Sequence, residues 1–220
     1  MKENLIDSLP FTIERPGCYV LKGDLTGVTG QHGLIINASD VTLDLMTFTL
    51  IGVPGSLNGV HVLGLQRNLI VHNGTILDWG QHGVHAYWAR DSRFEDLQVS
   101  NNGVSIGHKA LVAGHQCTVQ RVVARGNRGY GIFAFKGSTL EGCTAHDNGL
   151  VGIGVSLDGT IIDCAASGNG GRGIYSHAGS AVFNCTLIGN ASREARSSSC
   201  GPRAPASLLA ALVCGAGEDF

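Results

Sequence analysis

The chain has 220 residues, of which 43% are hydrophobic and only 15% are charged, with a formal net charge of −2. This length and composition allow one folded domain with a continuous core. The charge balance, without any basic stretch, disfavours nucleic-acid binding. No apolar stretch reaches membrane-spanning length, and no signal peptide is visible at the start of the chain.

The first 30 residues lie before the first complete repeat of the chain. They contain two short apolar runs, which predict one or two strands. A stack of strands needs its open end covered, because bare edge strands promote association. We therefore predict that residues 1–30 form an N-terminal cap.

Residues 31–190 form a repeat, which settles to a constant period of 21 residues towards its end. Three sets of residues recur at that spacing: Asn127, Asn148, Asn169 and Asn190; the Gly-Ile pairs at 131, 152 and 173; and Cys143, Cys164 and Cys185. Apolar residues alternate in short runs between turn-forming Gly, Asn, Asp and Ser, which is typical of short strands joined by bends. The pattern predicts an all-β fold, a right-handed parallel β-helix of about seven rungs, capped at both ends.

Earlier rungs are less regular in length. Their predicted starts are Gly33, Gly59, Gly83 and Gly103. The long steps place insertions at residues 51–58 and 106–116, and we expect these to be loops on one flank of the solenoid.

Two columns of residues are predicted to run along the inside of the solenoid. The asparagine column continues to Asn102, with Asp78 in its place one rung earlier, and its side chains are expected to bond from rung to rung. The cysteine column continues as Val122, Leu97, Asn73 and Met46. We interpret its cysteines as small core side chains, because single thiols in a column do not form a tetrahedral metal site.

Residues 191–220 break the repeat. They contain a Ser/Arg/Pro stretch followed by an apolar run at residues 206–213. Two interpretations stay open: a plug that covers the C-terminal end of the solenoid, or a disordered tail. The apolar run could also mediate self-association.

One outward face of the solenoid is predicted to be rich in histidine and aromatic residues. Strand alternation places two columns on it: His61, His85, Ser105, Phe133, Gly154 and Tyr175, and beside them Leu63, Tyr87, Gly107, Phe135, Ser156 and His177. Aromatic rings on an exposed sheet can stack on sugar rings. The candidate substrate-binding residues are Tyr87, Trp88, Phe133, Phe135, Tyr175 and His177.

Several side chains near this face could carry chemistry. His61 and His85, with Asp78 or Asp91, could form an acid–base pair, or with His82 a metal site. Arg90 or Lys109 could serve as the base of a lyase. The simpler interpretations are a stack of surface histidines without a ligand and ordinary solvated loop charges.

The chain resembles the pectate-lyase-like superfamily of right-handed parallel β-helix proteins, and in particular bacterial members of unassigned function. The resemblance rests on residues 8–28, on residues 41–56 and on the repeated rungs, although Met46-Thr47 stands where Asn-Gly is expected. It implies a polysaccharide partner, an extracellular or periplasmic location and, in some members, a divalent metal. None of the superfamily's catalytic signatures can be placed residue by residue.

Three functional hypotheses follow. The chain binds or acts on an extended polysaccharide along the histidine and aromatic face, as a lyase or hydrolase would. Alternatively, it is a non-catalytic structural or adhesive module whose face contacts another protein chain. The third hypothesis is a metal-dependent enzyme built on His61, His82 and His85.

Overall fold

A computed structural model describes residues 3–192 of the chain. The predicted plug or tail therefore lies, from residue 193 onward, outside the described residues. The strands, in chain order, are β1 (Asn4–Ile6), β2 (Phe11–Ile13), β3 (Gly17–Leu21), β4 (Leu25–Thr26), β5 (Leu34–Ile36), β6 (Val41–Asp44), β7 (Thr49–Ile51), β8 (Val60–Val62), β9 (Ile70–Leu77), β10 (Val84–Arg90), β11 (Arg93–Ser100), β12 (Lys109–His115), β13 (Thr118–Gln120), β14 (Val123–Arg125), β15 (Tyr130–Ala134), β16 (Thr139–Glu141), β17 (Thr144–His146), β18 (Ile153–Val155), β19 (Thr160–Ile162), β20 (Ala165–Ser167), β21 (Ile174–Ser176), β22 (Ala181–Phe183) and β23 (Thr186–Ile188).

These strands form a parallel β-helix, as the repeat predicts. One sheet contains eight parallel strands in the order β2-β5-β8-β10-β12-β15-β18-β21, and the remaining strands form a larger sheet that covers the other sides of the solenoid. The long strands β9 and β11 continue around a corner, so that each pairs with strands on two sides. The solenoid has about eight turns, one more than the sequence indicates, because β2 within the N-terminal cap already belongs to the eight-stranded sheet.

The asparagine ladder is confirmed. Asn102, Asn127, Asn148 and Asn169 are buried, at 0–1% exposure. The side-chain oxygen of Asn148 accepts hydrogen bonds from both the main-chain and the side-chain nitrogen of Asn127, at 3.1 and 2.9 Å. Asn169 binds Asn148 in the same way, at 3.1 and 3.0 Å. The ladder therefore satisfies the buried main-chain groups at one corner of every regular rung.

The ladder ends at Trp79, and the prediction that Asp78 continues it is wrong. The main-chain nitrogen of Trp79 donates to the side chain of Asn102 at 3.0 Å. The indole is buried, and its nitrogen donates to the carbonyl of Leu50 at 3.1 Å. Gly33 makes room for the indole, since a Cβ there would lie 2.6 Å from the ring. A large aromatic side chain thus replaces asparagine where the rungs become irregular.

The cysteines of the column are confirmed as core residues, but the two predicted members nearest the N-terminus, Asn73 and Met46, do not align with it. Cys143 and Cys164 are buried, at 1% and 2% exposure. Leu97 pairs with Gly74 rather than with Asn73. Asn73 instead occupies the adjacent bend, with a φ of 62°, and Met46 lies in a bend as well, with a φ of 52°. The irregular rung lengths cause the error, because one added residue moves every later side chain to the opposite face.

The rung predicted to start at Gly103 starts elsewhere. Residues 103–108 form a loop with exposed Val104 and Ile106, and the strand of this rung is β12, within the segment predicted to be a loop. Val112 therefore takes the outward position assigned to Ser105, opposite His85. The insertion precedes the strand instead of following it, because Leu111 and Ala113 supply the two buried inward positions that the strand of this rung needs.

Candidate functional site

The candidate site is the outward face of the eight-stranded sheet. The strand register aligns one outward column along the solenoid axis: Ile35, His61, His85, Val112, Phe133, Gly154 and Tyr175. Neighbouring side chains in such a column are one interstrand spacing apart, about 4.8 Å. Rings at consecutive positions are therefore brought into contact by the fold itself.

Five histidines form a cluster at one end of this face, here called the imidazole stack: His32, His61, His82, His85 and His108. The centroid distances are 4.3 Å between His32 and His61, 5.1 Å between His61 and His85, 4.9 Å between His82 and His85, and 5.4 Å between His82 and His108. The predicted neighbourhood of His61, His82 and His85 matches this geometry. His32 and His108 were absent from the sequence-based candidates, although the repeated Gln-His-Gly at 31–33 and 81–83 marks His32 as an equivalent of His82.

Aromatic rings continue the stack towards the C-terminal rungs. The Tyr87 ring lies 6.5 Å from His85 and 4.5 Å from Phe135, across the intervening rung. Phe133 lies 5.3 Å from Phe135 and 6.1 Å from Tyr130. Ring contacts therefore run without interruption from His32 to Tyr130.

A bulge in β10 creates the widest part of the aromatic face. Ala86 pairs with Ala113, but Arg90 pairs with His115, so β10 has two more residues than β12 over this stretch. The extra residues leave Trp88 55% exposed, in edge-on contact with Tyr87 at 4.7 Å. The partner strand needs glycine at position 114, because a Cβ there would lie 1.9 Å from the carbonyl oxygen of Ala89.

Lys109 is a positive charge beside the imidazole stack. Its ammonium lies 4.9 Å from the centre of the Tyr130 ring and donates to the carbonyl of Gly107 at 3.4 Å. Among the ion pairs of residues 3–192, none joins Lys109 to a carboxylate. Burial lowers the pKa of its amine. A partly buried cation without a counter-ion is suited to an anionic group of a ligand.

The histidines of the stack are neutral at pH 7. Burial, followed by the neighbouring imidazoles, lowers the pKa of His32 and His85 to about 4 and that of His82 to about 3. Burial also lowers the pKa of His61 and His108. No carboxylate contributes to any of these shifts, so the face combines neutral rings with the single ammonium of Lys109.

The aspartates predicted as acid–base partners, Asp78 and Asp91, make their contacts with residues outside the imidazole stack. Asp91 is exposed in the turn after β10 and forms an ion pair with Arg67 at 3.7 Å. Asp78 is exposed at a bend after β9, with a φ of 61°. Arg90 ends β10, where its main chain pairs with His115. Within the described part of the chain, no hydrogen bond or ion pair links Asp78 or Asp91 to a histidine of the stack.

His61, His82 and His85 do not by themselves have the geometry of a metal site. In the stretch from residue 3 to residue 192, no three histidine, cysteine, aspartate or glutamate side chains are grouped so that they could hold a metal ion. The rings of His61 and His85 are nearly parallel, at 20°, whereas metal ligands must direct their lone pairs to one point. The site at His61, His82 and His85, and the divalent metal, stay predictions.

The remaining predicted contacts lie on the last rungs. Tyr175 is half-buried and is covered by the guanidinium of Arg172 at 5.7 Å. His177 is exposed, and its Nδ1 accepts a hydrogen bond from the nitrogen of Ala178 at 2.8 Å. Gly154 separates Tyr175 from Phe133 in the outward column, so the continuous ring contacts end before these residues.

Comparisons with known structures agree with the fold. The chain is similar to the A-module of the mannuronan C-5 epimerase AlgE6 of Azotobacter vinelandii, with 19% identity and a TM-score of 0.52 over 83% of this chain and 52% of that one. It is also similar to the enzymatically active domain of tailspike protein 2 of bacteriophage CBA120, with 15% identity and a TM-score of 0.55 over 89% of this chain and 43% of that one. The chain thus spans about half the length of these structures, or less.

In the described residues, no helix is long and apolar enough to cross a membrane.

The sequence was also compared with curated proteins and with protein-family models. No curated protein sequence matches the chain. The family model described as "Right handed beta helix region" matches residues 24–160 and 58–202. The chain therefore belongs to the right-handed β-helix family.

Proposed function

We propose that the chain binds an extended polysaccharide along the outward face of its eight-stranded sheet. The observation that carries this proposal is the unbroken series of ring contacts from His32 through His85 and Tyr87 to Tyr130. The series crosses several rungs along the solenoid axis. A polymer laid along the axis would meet rings on the successive rungs of His61 and His85, and again at Phe133 and Phe135 beyond the β12 rung, which suits a chain of sugar units.

The chemistry of the face supports a saccharide. Sugar rings have apolar faces that pack on aromatic rings and polar edges that need hydrogen-bond partners. Exposed Trp88 and half-buried Tyr87 supply aromatic surface, and the neutral imidazoles supply donors and acceptors beside it. The unpaired ammonium of Lys109 would favour a polymer that carries an anionic group at that position.

A reaction at this face would use the residues around Lys109. Removal of a proton from a uronate needs a base and a group that stabilises the anion, and Lys109 with His85 could supply them. A hydrolase would instead need two carboxylates on either side of the scissile bond, which makes Asp78 and Asp91 the second choice. Arg90 is an alternative base. We also propose that the protein acts outside the cytoplasm, in an extracellular or periplasmic location.

Binding is tested by affinity measurements with a panel of acidic and neutral polysaccharides. Tyr87→Ala should weaken binding at least about fivefold, since one stacked ring contributes about 1 kcal/mol beyond its buried area. Phe183→Ala is the matched control, because Phe183 is an exposed aromatic residue on β22, in the other sheet. Equal affinities of the two variants for every polymer would argue against this face as the binding site.

Turnover is tested separately, with and without divalent cations. Unsaturated products that disappear in Lys109→Met would support a lyase, whereas new reducing ends alone would direct attention to Asp78 and Asp91. Binding without any product would leave a non-catalytic polysaccharide-binding module. Concentration-dependent self-association that Phe133→Asp disrupts, with no glycan binding, would support the protein-contact alternative instead.

A further inference from the structure

The buried side chain of Asn58 connects two rings of the imidazole stack. Asn58 is 3% exposed and lies two residues before the start of β8. Its Oδ1 accepts a hydrogen bond from the main-chain nitrogen of His82 at 3.0 Å. Its Nδ2 lies 3.2 Å from Nδ1 of His61. Since Oδ1 faces a main-chain N–H, the amide NH₂ must face His61.

This orientation determines where the proton of His61 lies. An amide NH₂ only donates, and a neutral imidazole has one N–H and one acceptor nitrogen. Nδ1 of His61 must therefore be the acceptor, and the proton of His61 is on Nε2. The assignment follows from the main-chain bond to His82, which holds the amide in one of its two orientations.

His61 in turn determines the proton position of His85. Nδ1 of His85 lies 3.2 Å from Nδ1 of His61, and the two ring planes differ by 20°. Because Nδ1 of His61 carries no proton, a hydrogen bond between them requires the proton on Nδ1 of His85, and the lone pair of His61 is then shared between this N–H and the NH₂ of Asn58. Nε2 of His85 is then the unprotonated nitrogen of that ring.

Two other rings have the opposite arrangement, for an independent reason. Nδ1 of His32 accepts the main-chain N–H of Asn58 at 3.2 Å, and Nδ1 of His82 accepts that of Lys109 at 3.0 Å. Both rings are neutral at pH 7, so both carry their proton on Nε2. His32, His61 and His82 thus share one tautomer, and His85 differs.

The Nε2 atoms are open to a ligand. Among the described residues, no buried side-chain nitrogen or oxygen lacks a hydrogen-bond partner. Nε2 of His85 has no partner within the protein among the bonds of the stack, so it is not buried. It can meet the hydroxyl groups of a bound molecule.

We propose that the side chain of Asn58 is a positioning group that sets the proton positions of His61 and His85, so that His85 presents an unprotonated Nε2 among neighbours that present N–H donors. His85 would accept a proton or hydrogen bond from a hydroxyl or an acidic C–H, while His32, His61 and His82 would donate to oxygen atoms. Only the nature of this ligand, a saccharide, rests on the proposed function.

The first test needs no ligand. Long-range proton–nitrogen correlation spectra of uniformly ¹⁵N-labelled protein at pH 7.5 distinguish protonated from unprotonated imidazole nitrogens. We expect Nε2–H for His32, His61 and His82, and Nδ1–H for His85. A spectrum with His85 protonated on Nε2 would overturn the proposal, whatever the glycan assays show.

The second test replaces one group of atoms. Asn58→Asp keeps the shape of the side chain and the acceptor for His82, but it places an oxygen instead of an NH₂ opposite His61. We expect the proton of His61 to move to Nδ1, or His61 to become charged, and His85 to change to the Nε2–H form. Asn37→Asp is the control, because Asn37 is exposed at the end of β5.

The outcomes of the second test are distinct. Inverted tautomers in Asn58→Asp together with an unchanged spectrum in Asn37→Asp would support the assignment. Unchanged tautomers of His61 and His85 in a folded Asn58→Asp variant would show that Asn58 does not set them. If Asn58→Asp does not fold, the wild-type spectrum alone decides. A correct tautomer pattern without glycan binding would refute only the proposed function.

Discussion

The two halves of the solenoid differ in regularity, and the imidazole stack lies in the less regular half. From Asn127 to Asn190 each rung has 21 residues, and one asparagine per rung completes the same set of hydrogen bonds. Between His32 and Lys109 the rungs vary in length, Trp79 replaces the asparagine, and the imidazole stack and the β10 bulge occur. The regular rungs are held together by the same repeated hydrogen bonds, whereas the irregular rungs carry the imidazole stack and the exposed Trp88.

The regular and the irregular rungs are stabilised in different ways. A regular rung satisfies its buried polar groups with identical neighbours, so its stability depends on the neighbouring rungs. An irregular rung needs individual solutions, such as a glycine beside Trp79 or beside Ala89. The following changes separate these two kinds of stabilisation, beginning with the largest expected effect.

Asn148→Ala should destabilise the regular half most. It removes the acceptor of Asn127 and leaves the carbonyl of Ala124 without its donor at 3.0 Å. Buried polar groups left without partners cost about 1–3 kcal/mol each, so we expect a loss of about 2–4 kcal/mol in the free energy of unfolding. Urea denaturation measures it. A loss no larger than that of Asn37→Ala, an exposed position, would show that the ladder is not stabilising.

Gly33→Ala should lower the stability of the irregular half. The added Cβ would lie 2.6 Å from both the indole of Trp79 and the carbonyl oxygen of Gly59. Overpacking of this kind costs about 1–3 kcal/mol. Thermal unfolding of Gly33→Ala and of Gly23→Ala, where a Cβ would meet nothing within 4 Å, gives the comparison. Equal melting temperatures would contradict the tight packing around Trp79.

Acid should destabilise the irregular half selectively. The folded pKa is about 4 for His32 and His85 and about 3 for His82, whereas an unfolded histidine has a pKa near 6.5. Below pH 6.5 the unfolded chain binds protons that the folded chain does not. Stability is therefore complete above pH 6.5 and declines as the pH falls towards 4.

Melting curves between pH 7.5 and 4 measure this decline. His82→Asn should make it shallower, because an asparagine oxygen can still accept the N–H of Lys109 but does not titrate. His177→Asn, at an exposed histidine outside the stack, is the matched control. The same slope in both variants would remove the imidazole stack as the cause.

Cys164→Ala should have the smallest effect. Its thiol is buried in the regular half, and loss of this small apolar group should cost about 1 kcal/mol. The side-chain hydrogen bond with Cys143, together with burial, raises the pKa of Cys164 to about 12, which keeps it unreactive. Labelling with a thiol reagent before and after unfolding, followed by peptide mass spectrometry, checks both points. Rapid labelling of the folded protein at Cys164 would contradict a core role.

Residue positions could be predicted best from the sequence where the repeat has a constant period. From residue 127 onward, the ladder, the cysteine core and the outward positions of Phe133 and Tyr175 were all predicted from spacing. Errors are confined to the irregular rungs: the positions of Asp78, Asn73 and Met46, and the whole rung predicted to start at Gly103, with Ser105 and Gly107 as its outward residues and 106–116 as its loop. A strand pattern repeats every two residues, so a single insertion reverses which residues point outward, and spacing alone does not say on which side of the strand the insertion lies.

By itself, the sequence determined the all-β solenoid, its internal columns and the histidine and aromatic character of one face, because each depends on local alternation and a repeated period. Only the tertiary structure decided which rings touch. It added His32 and His108 to the stack, placed β12 between His85 and Phe133, and brought Asn58 against His61. These contacts join residues from different rungs, whose alignment depends on main-chain pairing along the whole solenoid.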